Sequence, residues 1–552
     1  MSLGAEPRRS TETSETLRDA AHDSVSTTTP SSTSPLPNTT STQLTGAVSP
    51  KALEAGEKGP VDDEDSVLIV DWDGPDDPAN PKNWPFKSKW AATAIVSAFT
   101  FISPVSSSMI APAAAQVAEQ FGIKSEVEIA MTTSVFVLAY AVGPLFLGPM
   151  SELYGRSHVL QLANLFYLVW NIACGFAQSS SQLIAFRFLA GLGGSAPLAI
   201  GGGVLGDLWA AHERGQAIAL YSLAPLLGPV VGPVAGAWIA QSGADGGGGS
   251  GSLRGMWRWV FWSTSIVCGI VQILGVFYLR ETFAPVLLER KANLIKNKMG
   301  IPEEDQHRVR TVYQSDERHW KRIFAKSLIR PFALFAREPI IQLLGVYMAF
   351  IYGLIYLLLT TLPAIFQSPE TYGFRPGIAG LHYIALGVGL TGASQANARL
   401  LDKVYVYLTA KNGGVGKPEF RLPTMVPGTI FLPVGLLMAG WSAQKVAPWI
   451  VCDIGIAFIG AGMILNFQGI QTYVIDAFTL HAASALASVS CLRSLAGFGF
   501  PLFAPAMYNA LGYGKGDTIL ACFAIALGCP APWLFWHFGE RIRKSSRYAV
   551  DA

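Results

Sequence analysis

From residue 88 onward the chain alternates apolar runs with short polar turns. Each run is about 20 residues long, enough for a helix rising 1.5 Å per residue to cross a ~30 Å hydrocarbon core. The pattern predicts helical spans over 90–112, 129–150, 158–177, 182–206, 216–240, 259–279, 339–364, 377–398, 423–441, 447–470, 482–506 and 517–537. Between the sixth and the seventh, residues 280–338 form a polar break with thirteen Lys/Arg and eight Asp/Glu. Residues 1–85 lack this pattern. They are rich in Ser, Thr and Pro, as from Ser24 to Pro35, and cannot bury enough apolar area to offset their chain entropy. No basic n-region followed by an apolar h-region opens the chain, so no cleaved signal is expected. The organisation expected is a disordered tail over 1–85, a six-helix bundle over 86–280, a central loop over 281–338, a second six-helix bundle over 339–540 and a short tail over 541–552.

Composition sharpens this picture. Half of the 552 residues are hydrophobic and only 14% are charged, against about 25% charged in soluble domains. Mean hydropathy is +0.35. These values exclude a wholly disordered chain, a disulfide scaffold and an ordinary cytosolic enzyme. A net charge of +2 offers no basic field for a nucleic-acid partner. Cys174, Cys268, Cys452, Cys491, Cys522 and Cys529 all lie in apolar runs without a C-x-x-C pair, so they read as buried small apolar residues rather than disulfides or zinc ligands.

Charge predicts orientation. With the N-terminus inside, cytoplasmic segments near the spans hold 27 Lys/Arg and external loops hold six. Leaving out the 59-residue central break the ratio is still 14 to 6, so both termini are expected in the cytoplasm. Residues 246–252, a Gly/Ser run, then form a flexible external loop. Two six-span halves joined by a cytoplasmic segment is the plan of many secondary transporters, whose substrate sites lie near the midplane between the halves.

Several motifs carry candidate chemistry. The second span ends Gly148-Pro-Met-Ser-Glu-Leu-Tyr-Gly-Arg156. It turns on Gly155 and presents Glu152 and Arg156 at the cytoplasmic face. An acid there can cap a helix N-terminus, and a guanidinium can clasp a carboxylate, with Asp207 the expected partner; the plainer reading is a positive-inside anchor. Span four holds Arg187, costly within an apolar helix and hence a functional candidate unless it snorkels to the interface. Gly201-Gly-Gly-Val-Leu-Gly206 fits a dinucleotide-binding pattern formally, but no strand precedes it, and close helix packing is the better reading. In span five Gly228, Gly232 and Gly236 make a smooth stripe every four residues, and Pro229 and Pro233 remove donors and are expected to kink the helix.

Gly148–Arg156 resembles the loop signature of the major facilitator superfamily. Arg187–Gly194 and Gly228–Gly236 resemble further motifs of its twelve-span drug:proton antiporters. The segments Asp71–Trp84, Trp257–Trp262 and Lys417–Arg421 are similar to fungal members, as are Asp476, Ala483–Ala487 and Arg493-Ser494. The match covers about residues 70–547 and leans to the branch exporting polyamines, azoles, cercosporin and other small toxic compounds. The resemblance implies an all-α membrane protein of the major facilitator fold. It also implies export from the plasma membrane driven by the proton gradient, without cofactors. Ser157-His158 departs from the signature, where a second basic residue is frequent, which weakens that latch.

Span one carries no carboxylate, although several such antiporters use one there. Proton coupling is then expected to run through Asp453 or His382, with Arg187, which stays charged, as part of the relay. For the substrate cavity the candidates are Tyr347, Tyr352, Tyr356, Asn466, Gln468, Gln471 and Arg493, aromatic and hydrogen-bonding groups suited to an amphipathic compound. The partners expected are small-molecule substrate, protons and the lipid bilayer, with the chain acting as a monomer. A nutrient or polyamine importer or uniporter on the same fold is the alternative. A membrane enzyme or ATP-driven pump is disfavoured, since no G-x-x-x-x-G-K-[ST] or H-E-x-x-H motif occurs.

Overall fold

The computed structural model describes residues 67–210, 213–245, 256–300, 309–313, 320–479 and 482–546. The expectations for residues 1–66, 246–252, 547–552 and part of the central break lie outside them. In chain order the first half comprises α1 (Phe86–Ser108), α2 (Ala114–Phe121), α3 (Glu126–Tyr154), α4 (Arg156–Gly175), α5 (Ser180–Gly194), α6 (Ala196–Leu208), α7 (Arg214–Asp245) and α8 (Arg258–Tyr278). The central stretch holds α9 (Ala284–Met299) and α10 (Trp320–Arg337). The second half comprises α11 (Pro339–Gln367), α12 (Pro376–Leu381), α13 (Tyr383–Lys411), α14 (Val426–Lys445), α15 (Trp449–Ala477), α16 (Ala482–Gly528) and α17 (Pro530–Ser545).

Local chemistry sets the helix ends. Ser125 caps α3 by accepting from Glu128 N, and Glu126 and Glu128 place negative charge on its positive N-terminus. Ser179 caps α5 in the same way. Gly512, with φ 75° and ψ 165°, divides α16 into the eleventh and twelfth spans. Three prolines, including Pro229 and Pro233, sit inside α7, which nevertheless runs as one helix.

Among the described residues ten helical stretches are long and apolar enough to cross a membrane, and one of them covers both spans of α16. The remaining span is α4, whose polar residues find partners on α8. Asn164 donates to Gln272 at 2.6 Å, Gln161 to Gly275 O at 2.8 Å and Asn171 to Ser265 at 2.8 Å. Paired in this way, polar side chains hold helices together in lipid. The outward faces carry exposed Leu162, Val169, Ile266, Ile270 and Phe277, a surface suited to acyl chains rather than water. The six cysteines are free. Cys174, Cys268 and Cys452 are buried, but Cys522 and Cys529 are exposed, a correction to the expectation for these two.

Three boundaries also change. Residues 67–85, expected to belong to the disordered tail, contain β1 (Leu68–Val70), which pairs in parallel with β2 (Val309–Thr311) of the central break. Val70 and Val309 pack on Ala292 of α9, and Lys291 bridges to Asp73 at 2.7 Å. The ladder forms because a run of four aliphatic residues, Val67 to Val70, finds an equally β-prone Val309–Val312. Among its described residues the central break is mostly helical, in α9 and α10, and α17 extends through residue 545. The halves meet along α3 with α16 and along α7 with α12 and α13.

Candidate functional site

At the end of the bundle where α3 gives way to α4, Arg156 Nε donates to Asp207 Oδ2 at 2.8 Å, and its Nη1 lies 3.3 Å from Ser151 Oγ. The sharp turn between the helices requires Gly155: its φ is 99°, and a Cβ there would overlap the Glu281 carboxylate. Glu281, absent from the sequence reading, does the capping expected of Glu152. It accepts from the backbone N–H of Arg156 (2.9 Å), Ser157 (3.3 Å), Thr282 (3.0 Å) and Phe283 (3.0 Å). His158 Nδ1 lies 3.2 Å from the same carboxylate, and Ser157 Oγ donates to Leu279 O. The two residues that depart from the loop signature are thus tied to the end of α8. Removing so many charge-assisted partners at once is expected to cost Glu281→Ala about 2–3 kcal/mol. Thermal unfolding in detergent checks this, and an unchanged melting temperature contradicts it.

The second half repeats the arrangement. Arg421 Nε donates to Asp476 Oδ2 at 2.9 Å and Nη1 to Asp402 Oδ1 at 3.1 Å, and buried Arg543 pairs with Glu419 at 3.3 Å. The pairs Arg156/Asp207 and Arg421/Asp476 are separated by 51 and 55 residues along the chain. That near-equal spacing is the sequence signal by which the second pair was detectable.

Arg187 is fully buried rather than snorkelling. Its guanidinium donates to Ser106 O (3.2 Å), Ser107 O (2.9 Å) and Thr133 O (3.1 Å) and lies over the Phe136 ring at 5.1 Å. Ser106 and Ser107 are in the last turn of α1, where carbonyls lack intrahelical donors and the helix dipole is negative. The arginine therefore binds α5 to the end of α1 and to α3.

Between the halves a cavity of about 460 Å³ opens at the Arg156 end. Glu152, Arg156 and Tyr140 line it from the first half, and Met348, Phe467, Gln471 and Arg493 from the second. Tyr352 and Tyr356, 5.3 Å apart, sit behind Arg493, which lies over the Tyr352 ring at 5.0 Å. Tyr352 and Tyr356 are thus behind the lining rather than on it, and three further expected lining residues lie elsewhere. Tyr347 is buried against Gly528; five residues from Tyr352, it points roughly 140° away around the helix. Asn466 donates to Gly462 O of its own helix, and Gln468 is bonded to Asn397 and Ser394 of α13. They flank Phe467, which with Gln471 carries the cavity face of α15.

The opposite end is closed by contacts between the halves. Tyr356 Oη meets Ser107 Oγ at 3.2 Å, Asn509 donates to Glu126 at 2.9 Å, and Gly377 N donates to Gln241 at 2.8 Å. The stripe of Gly228, Gly232 and Gly236 lies on the C-terminal half of α1: added Cβ atoms would reach 2.6 Å from Pro104 Cβ and Val105 O at the first two positions and overlap Met109 O at the third.

At this closed end the structure brings His382 and Asp453 together, with Nδ1 2.8 Å from Oδ1 and 3.0 Å from Oδ2. The imidazole stacks on Phe366 at 3.7 Å and is half-enclosed by Phe374 and Trp449. Nearby is a buried carboxylate that the sequence reading passed over. Asp517 accepts from Tyr508 Oη at 2.6 Å, and among the described residues no cation pairs with it. Its position at a span boundary hid it, because Gly512 rather than a polar loop makes the turn.

Two six-helix halves around a cavity open at one end and sealed at the other have the architecture of secondary transporters. Residues 96–539 match the Major Facilitator Superfamily. The chain is 46% identical to the efflux pump vrtL of Penicillium aethiopicum over 88% of its own length and 92% of the relative's. It is 43% identical to the MFS-type transporter penM of Penicillium rubens over 90% and 94%. The partially occluded inward-open xylose transporter XylE of E. coli shares the fold, with a TM-score of 0.60 and 15% identity over 82% of this chain and 98% of the other. The protein belongs to the Major Facilitator Superfamily: it is a multi-pass membrane transporter of small molecules, not an enzyme.

Proposed function

We propose that the protein exports a small amphipathic compound across the fungal plasma membrane, with protons moving inward, as a monomer. The cavity open at the Arg156 end is the observation that carries this reading, since it offers a loading site between the halves. The positive-inside count supports placing that end, with both termini, in the cytoplasm. The relative named an efflux pump supports outward rather than inward transport. Rocking of the halves closes the cavity, and Glu152, Gly155, Arg156 and Asp207 form its cytoplasmic gate. Closing brings the Glu152 face of α3 toward the start of α16. Deleting the gene should raise retention of, and sensitivity to, the transported compound, and a proton uncoupler should abolish the difference. Equal retention in deleted and wild-type cells overturns the reading.

The His382–Asp453 pair is the proposed proton relay. Tyr372 and Cys452 are the other titratable groups against it, and Asp517 stands close by as a second carboxylate. Asp453→Asn and His382→Gln are each expected to lower proton-driven export about tenfold or more, while counterflow, which needs no net proton movement, persists. Export by Asp453→Asn that still follows an imposed pH gradient at the wild-type rate removes the pair from the relay.

A further inference from the structure

Arg493 differs from the other arginines within the bundle. Arg187 donates from both terminal nitrogens to three carbonyls, although its Nε is unpartnered; Arg156 is held by Asp207, Arg421 by two aspartates and Arg543 by Glu419, whereas no nitrogen of Arg493 is bonded to a described residue. Arg493 makes no ion pair with any described residue, and its Nε is buried without a hydrogen-bond partner. Its guanidinium is held between two aromatic faces, Tyr352 at 5.0 Å and Phe467 at 5.3 Å. Such stacking orients a guanidinium while leaving its in-plane N–H groups for a ligand.

The position also matters. Arg493 lies roughly 16 Å along α16 from Ala482, about half of a ~30 Å hydrocarbon core. It is on the wall of the 460 Å³ cavity, with Ser490, Ser494 and Gln471 on the same lining and Met348 and Leu198 supplying apolar surface. The charged lining of the cavity is Glu152, Arg156 and Arg493. Arg156 is committed to Asp207, and Glu152 has a contact of its own. An uncompensated cation at midplane depth is costly unless an anion joins it.

We infer that the substrate is an amphipathic anion: an apolar or aromatic body bearing a carboxylate, phenolate or sulfonate that docks on Arg493 with the serines beside it. This deepens the proposed export function and rests on reading the cavity as the substrate path. Fluorescein and rhodamine 123 share a xanthene skeleton and carry opposite charge. Their binding to the purified full-length protein in detergent, followed by fluorescence anisotropy, tests the inference. Fluorescein should bind at least about tenfold more tightly than rhodamine 123, the worth of one charge-assisted contact. Arg493→Gln should erase that preference, and Arg493→Lys should retain much of it. A wild-type preference for rhodamine 123, no preference, or a preference for fluorescein unaltered in Arg493→Gln overturns the inference. Arg493-dependent fluorescein binding in a protein that moves the dye only inward leaves the inference standing and overturns the export direction.

Discussion

Arg187→Ala is expected to abolish transport while the protein still reaches the membrane, and Arg187→Lys to lower it about tenfold or more. The guanidinium donates to carbonyls on two different helices, Ser106 and Ser107 of α1 and Thr133 of α3. An ammonium is a compact point charge without that planar fork and cannot serve both sides. Each buried carbonyl left without its donor costs about 1–3 kcal/mol. The loss falls on the junction of α1, α3 and α5, the frame of the first half beside the cavity. Because no carboxylate among the described residues joins the cluster, the residual transport of Arg187→Lys should keep the wild-type dependence on the pH gradient. Transport assays in proteoliposomes, with membrane content measured in parallel, check both variants. Wild-type rates in Arg187→Ala contradict the role assigned to this residue.

Gly236→Ala is the second large effect expected, although it adds a single methyl. The new carbon would overlap Met109 O, a backbone atom that cannot rotate away, so α7 and α1 must separate. Overpacking of this kind costs about 1–3 kcal/mol or more. Here it also strains the contact of α7 with α12 and α13, along which the halves meet. A lower melting temperature and strongly reduced transport are expected. Gly202→Ala is the matched control. Its added carbon has open space around it, and alanine favours the helix, so stability should hold or rise slightly. If the two variants unfold at the same temperature, the stripe is not the packing device described.

Much of the architecture was readable before any fold was seen. The span limits were close, Gly155 and Arg156 stood out at the turn, and the glycine stripe announced a closely packed neighbour. The Arg156–Asp207 contact followed from charge at adjacent helix ends. The roles of the cluster, the His382–Asp453 pair and Arg493 are proposals for experiment. Cavity-facing residues were the weakest part of the reading. Tyr347, Asn466 and Gln468 have suitable chemistry and depth, yet each lies one helical step or more off the cavity face, and Tyr352 and Tyr356 stand behind Arg493 rather than on the lining. Glu281 was missed because its work is done through four backbone donors brought from two separate segments. Asp517 was missed because a glycine turn, not a loop, sets its depth.

The bilayer explains this division. It selects runs of about 20 apolar residues and sorts basic loops to one side, so the sequence by itself determined the span count, the two halves, the expected orientation and the motifs at helix ends. Within a span the face toward lipid and the face toward neighbouring helices are both apolar, so no amphipathic period records the rotation of the helix. Only the tertiary structure decided which side of α11 and α15 meets the cavity, which carbonyls receive Arg187, and that Arg493 is left with aromatic faces and no protein anion.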